Sequence, residues 1–157
     1  MTEKSKGAVT STEACPEGLR GVFRTLAQEH SAGVALIQRV KSHPDQRREL
    51  WPELRTALLS HDRGEIHEVY SALRQHEATR VLAEHHDDDA GALQQMIDRL
   101  DALDIESDAW EQLFAELAQA VVAHAGEEDQ VIFPAAQEAL GEALAEELDR
   151  KLLAAKR

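Results

Sequence analysis

The residues of this 157-residue chain that can do chemistry are its eight histidines and the glutamates set at helical intervals from two of them. HDRGEIHEVYSA (His61 to Ala72) lies over HAGEEDQVIFPA (His124 to Ala135) at an offset of 63 positions. The overlay matches His61 with His124, Glu65 with Glu128, Val69 with Ile132, Tyr70 with Phe133 and Ala72 with Ala135. His and Glu at i and i+4 share one helix face, one turn apart, so each segment aims an imidazole and a carboxylate the same way. Such pairs chelate metals. A second match, at an offset of 56, sets LAQEH (Leu26 to His30) over LAEHH (Leu82 to His86) and Ile37 over Leu93. His30 shares a stripe with Phe23, Leu26, Val34 and Ile37, and His86 with Leu82, Ala90, Leu93, Ile97 and Leu100. His85 is rotated by about 100° from that face and reads as a flanking residue.

These pairs need helices to carry them, and the chain supplies little else. From Pro16 onward apolar residues recur at three and four, no stretch alternates with a period of two, and Ala, Leu, Glu, Gln and Arg dominate. Breakers divide the pattern into four segments. SHPD (Ser42 to Asp45) closes the first, with Pro44 able to open the next helix in its first turn. RQHEA ends the second near Arg74, and DIESD, after Leu103, offers Ser107 or Asp108 as the N-cap of the fourth. Pro52 should kink the second helix or delay its start. Four helices of about 25 residues with loops of roughly 2–8 residues describe an all-α, up-down-up-down four-helix bundle. The expected organisation is a flexible tail over 1–15, the bundle over 16–140 and a short C-terminal helix within 141–157, packed on the bundle or extending it.

Depth along the bundle brings the histidines together. Counted from the end holding the SHPD and DIESD loops, His30 lies twelve residues before Ser42 and His61 fifteen after Gln46. His86 lies sixteen before Ala102, and His124 sixteen after Asp108. A spread of four residues is about 6 Å along a helix axis, so one histidine per helix falls in a single layer. Glu65 and Glu128 are a turn further on. Taken singly, each histidine could be a satisfied neutral core residue. Six inward polar groups are harder to explain so, because buried carboxylates need a partner and neutral imidazoles are not one. No Lys or Arg shares the predicted inward faces, and a metal is the simpler solution. Six N/O ligands without thiolate suit iron, manganese or zinc, and six ligands favour two ions sharing bridging carboxylates. No histidine has Glu three residues before it, which excludes the ferritin-like carboxylate pattern.

Composition narrows the function classes. Seventeen Lys plus Arg against thirty Asp plus Glu give a formal charge of −13, which argues against binding nucleic acid. The apolar stretches fall far short of the roughly 18 residues of a membrane span, and the first twenty residues lack the apolar run of a secretory signal. Cys15 is alone, so there is no disulfide framework or thiolate metal motif, and a cytoplasmic location is expected.

The pattern resembles the hemerythrin-like family, the HHE cation-binding domains, over about Gly18 to Leu140. The resemblance rests on Glu29–His30 in the first helix, His61 and Glu65 in the second, EHH (Glu84 to His86) in the third, and H-x-x-E-E-x-x-x-x-F-P (His124 to Pro134) in the fourth. It implies a non-haem di-iron centre, two irons bridged by an oxo or hydroxo group and two carboxylates, with ligands His30, His61, Glu65, His86, His124 and Glu128. It also implies a small oxygen or nitrogen ligand: dioxygen, peroxide or nitric oxide. Two departures from the oxygen-carrying members stand out. Leu82 occupies the position of a further histidine, and the fourth helix carries H-x-x-x-E in place of H-x-x-x-x-D. One terminal ligand fewer leaves an open iron position and argues against simple oxygen carriage; His85 with Asp89 is a lesser source of a replacement. An iron- or redox-responsive module without enzymatic activity is the alternative. Asp87 to Asp89 read as a solvated face. Glu68 and Glu127 read as solvent-facing groups or acceptors for a ligand imidazole. Tyr70 and Phe133 read as core packing, with Tyr70 as an alternative donor near the site. His43, His67 and His76 read as surface residues, and Trp51 and Trp110 as bundle-end packing.

Overall fold

The computed structural model describes residues 18–84 and 86–156, without the side chain of Asp87; the expected tail and His85 lie outside the described residues. The chain is all-α. Its long helices are α1 (Gly21–Ser42), α2 (Arg47–Gly64), α5 (His86–Ala102) and α6 (Asp108–Glu127). A π-helical segment, Glu65–Tyr70, carries α2 on into α3 (Ser71–Gln75), and a second, Glu128–Ile132, carries α6 into α7 (Phe133–Leu140). A short α4 (Arg80–Ala83) precedes α5, and α8 (Glu142–Ala155) closes the chain. α1 packs beside α2 and α6, α5 beside α2 and α6, and α8 lies along α1. No helix among the described residues is long and apolar enough to cross a membrane.

Three features of the helices differ from the sequence expectation. Pro44 opens a 3₁₀ turn, Pro44–Gln46, and α2 starts directly after it and runs through Pro52. The third segment, expected as one helix, is broken just before His86. The second and fourth contain π-helical turns that a count at 3.6 residues per turn cannot show. Ser107 is the N-cap of α6, its hydroxyl accepting from the Trp110 N–H at 3.1 Å.

The apolar core is divided. One cluster, holding Ile37, Leu54, Ile97, Leu100, Trp110 and Leu117, fills the end nearest the two loops. There Trp51 meets Trp110 edge-on at 5.7 Å, the bundle-end packing expected of the pair. The other cluster, holding Phe23, Leu26, Tyr70, Phe133, Leu148 and Leu152, joins the far end of the bundle to α8. Each long helical segment passes from one cluster to the other, and the buried polar residues His30, Glu65, His86 and Glu128 lie at the crossing. A polar layer is therefore clamped between two apolar ones.

α8 is seated by two close approaches. Gly21 has φ +55°, and a Cβ there would come within 2.6 Å of the Ala145 backbone. Gly64 faces Leu152 and Lys156, and its missing side chain lets α8 pass directly over the end of α2. Gly21→Ala should combine the left-handed penalty of about 1–2 kcal/mol with a backbone clash and lower the melting temperature clearly. Gly91→Ala, with nothing within 4 Å of the new methyl, should instead stabilise by up to about 1 kcal/mol. Thermal denaturation of the two variants followed by circular dichroism checks both signs.

Candidate metal centre

Both π-helical turns begin at the glutamate of an i, i+4 pair. The N–H of Glu65 reaches the carbonyls of His61 and Asp62, and that of Glu128 reaches those of His124 and Ala125. A π turn closes i to i+5, so the residue five beyond each glutamate shares its inward face. Those residues are Tyr70 and Phe133, both fully buried. Phe133 stacks on His30, with centroids 5.8 Å apart and planes 10° apart, and Tyr70 stacks on His86 at 3.6 Å and 14°. The repeat that aligned Tyr70 with Phe133 in the sequence is thus a repeat of ring supports beneath two imidazoles. Tyr70 does more than pack: its hydroxyl donates to Glu128 Oε2 at 2.6 Å.

All six candidate ligands converge. His30, His61, Glu65 and Glu128 present one set of ligand atoms lying within 4.8 Å of one another, and Glu65, His86, His124 and Glu128 present a second. The carboxylates belong to both sets. Glu65 turns Oε1 to His61 Nε2 at 2.9 Å and His30 Nε2 at 3.4 Å, and Oε2 to His86 Nε2 at 3.1 Å. Glu128 Oε1 lies 2.9 Å from His124 Nε2 and 3.2 Å from His30 Nε2. Glu65 therefore spans the sets with two oxygens and Glu128 with one, its other oxygen being held by Tyr70.

The donor set fits divalent cations. Glu65 Oε1 and Glu128 Oε1 are buried and accept no hydrogen bond, although imidazole nitrogens stand beside them. Carboxylate oxygens and ring nitrogens that face one another at these distances are what a pair of cations between them would satisfy.

Behind the imidazoles stands a second group of carboxylates, a role for which the sequence offered Glu68 and Glu127 instead. His61 Nδ1 lies 2.8 Å from Glu29 Oε1, His30 Nδ1 2.8 Å from Asp129 Oδ1, and His124 Nδ1 3.3 Å from Asp89 Oδ2. Lys156, from the end of α8, donates to both oxygens of Glu29 at 2.7 Å. Glu127 is exposed and Glu68 half-buried, and neither takes the acceptor role open to them. The available signal was adjacency: Glu29 precedes a candidate ligand histidine and Asp129 follows a candidate ligand glutamate. Asp88 is exposed as expected, and Asp89 backs His124 rather than joining the ligand atoms. Leu82, where a further histidine was missing, packs against the apolar cluster beyond the site. His43, His67 and His76 are exposed.

The electrostatics run against a layer of neutral core histidines at three of the four rings. Burial opposes charge on His30, but the carboxylates of Asp129, Glu128 and Glu65 around it outweigh burial and push the ring up to about 12. Against the same opposition, His124 rises to about 11 through Glu128 and Glu65, and His61 to about 9 through Glu65 and Glu29. Burial would raise Glu65, yet His61, His124 and His30 hold it well below the usual carboxylate range. Without a cation, protons held among His30, His61 and His124 would balance the carboxylates. Burial, reinforced by Glu128 and Glu65, pushes the Tyr70 hydroxyl upward and keeps it a donor.

A cavity of about 870 Å³ opens onto this layer, bordered by His30, His61 and His124 and walled by Leu36, Leu58 and Met96. A family model for the hemerythrin HHE cation binding domain matches residues 17–136. No curated protein and no solved structure matches the chain.

Two outcomes follow from this geometry. Tyr70→Phe removes the donor to a buried carboxylate oxygen and should cost the metal-free protein about 1–3 kcal/mol in denaturant unfolding. The raised histidines contribute stability that is complete below their ordinary value of 6.5 and lost as pH climbs through about 9 to about 12. Glu65 adds a contribution present above its ordinary value of 4.5 and lost below it. The metal-free protein should therefore melt at lower temperature at pH 10 than at pH 7, while cation affinity increases over the same interval as ligand protons leave. A melting temperature that rises from pH 7 to 10 would contradict the charge balance described.

Proposed function

The chain belongs to the hemerythrin HHE cation-binding domain family, and on that premise we propose that it is a non-haem di-iron protein handling dioxygen, peroxide or nitric oxide. The observation that carries this reading is the sharing of Glu65 and Glu128 between two ligand sets of two histidines each. His30 and His61 would hold one iron and His86 and His124 the other, with the two glutamates between them and an oxo or hydroxo bridge completing the pair. Bound iron would supply redox chemistry and an acceptor for the small molecule.

The chain's own residues do the rest. Two imidazoles and two shared carboxylates offer each ion four protein ligands, fewer than six-coordinate iron takes, so room for an exogenous ligand remains. The cavity bordering His30, His61 and His124 gives that ligand a way in past Leu36, Leu58 and Met96. Tyr70 stands with its proton on Glu128, beside the site and within the apolar cluster that shields it from water. Phe133 and Tyr70 restrain the His30 and His86 rings, which keeps the ligand geometry set before an ion arrives.

One observation favours the alternative, an iron-responsive module: α8 is tied to the centre through Lys156 and Glu29. Loss of metal would then be felt at the C-terminal helix.

Anaerobic iron loading followed by elemental analysis should give two irons per chain and, after air, a near-ultraviolet charge-transfer band. Glu65→Ala should lose both irons, because its two oxygens face the two halves of the site. A protein that takes up no iron, with Glu65→Ala leaving its melting temperature unchanged, would return these residues to the role of core packing. Chelation separates the two readings: helix loss without peroxide turnover marks the responsive module, and turnover marks an enzyme.

A further inference from the structure

The four imidazoles of the centre are not supported equally. In the His30–His61 half, each Nδ1 lies 2.8 Å from a carboxylate oxygen, of Asp129 and Glu29. Glu29 is fixed in turn by both its contacts to Lys156 of α8. In the other half, His124 Nδ1 reaches Asp89 at 3.3 Å, and the Asp89 side chain is 54% exposed. His86 Nδ1 is buried and has no hydrogen-bond partner among the described residues; its ring lies flat against Tyr70.

This difference bears directly on cation binding. An imidazole that ligates through Nε2 carries its proton on Nδ1, and a carboxylate that accepts that proton orients the ring and makes the ligand nitrogen more basic. His30 and His61 have this acceptor in place. His86 has the opposite arrangement. Its Nε2 faces Glu65 Oε2 at 3.1 Å, which places the proton there and leaves Nδ1 as a bare lone pair. Ligation through Nε2 would move the proton to a buried nitrogen with nothing to receive it.

We infer that the two cation positions are graded in affinity: the His30–His61 position fills first and holds its ion, and the His86–His124 position fills second and empties first. Glu29 and Asp129 are the positioning residues that create the grading, and Lys156 makes the C-terminal helix part of the tight position. A one-ion protein with an exchangeable second position is then a defined state. The inference rests on the two-ion centre proposed above.

The test is titration of the metal-free full-length chain with Co²⁺, followed by calorimetry and visible absorption. Two steps should appear, the second weaker by at least about ten-fold. Glu29→Gln and Asp129→Asn should each weaken the first step by about 10–100-fold and bring the two together, and Asp89→Asn should weaken the second alone. His124→Ala should keep the tight step and lose the weak one. The Glu29, Asp129 and Asp89 side chains sit at the rim of the bundle, 27%, 17% and 54% exposed, so circular dichroism before metal addition should be unchanged in the amide variants. Two equal steps in the unaltered protein, or Asp89→Asn weakening the tighter step, would overturn the grading while leaving the two-ion centre intact. No binding step at all would remove both.

Discussion

Two carboxylates with no exposed surface lie within reach of one another in the middle of a helical bundle, and everything around them can be understood as their compensation. Glu65 and Glu128 are 0% exposed, and buried charge is costly unless it is paired. Among the described residues no Lys or Arg side chain is seen paired with either. The partners are imidazoles, and those of His30, His61 and His124 are held in the protonated direction by the carboxylates around them. In the proposed centre the same nitrogens would be ligands once those protons leave, so proton and cation would compete for one site.

The helices bend their own geometry to meet that requirement. The two π-helical segments start at the two glutamates, and their wider turn brings Tyr70 and Phe133 onto the same inward face as the carboxylates. The bundle thus repeats a single device twice: imidazole, carboxylate, π turn, aromatic support. The repeat is imperfect where it matters, because Tyr70 carries a hydroxyl and Phe133 does not. That hydroxyl ties up one oxygen of Glu128, while Glu65 has both oxygens turned toward histidines. Apolar clusters on either side hold the layer in register, and α8 packs along α1 at the end opposite the SHPD and DIESD loops.

The clustering of the six candidate ligands was legible in the sequence because its signal is local. An i, i+4 His–Glu pair fixes which way two side chains point, whatever the rest of the chain does, and counting from the loops put four histidines at one depth. The helical fold was legible for the same reason, the period of apolar residues being a property of each segment. Glu29, Asp129 and Asp89 were harder to see as functional. Each is a common charged residue on a helix rim, and only the azimuth of the neighbouring helix decides whether it meets an imidazole or solvent.

By itself, then, the amino-acid order determined an all-α bundle and six inward N/O groups, since periodicity and short-range spacing set both. Tertiary structure alone decided that Glu65 would span two histidine pairs, that Tyr70 would bond across 58 positions to Glu128, and that Lys156 would reach Glu29 across 127. Those choices depend on helix rotation and crossing, which π turns shift and which glycines such as Gly21 and Gly64 permit. No local pattern encodes them, because each is a relation between segments far apart in the chain.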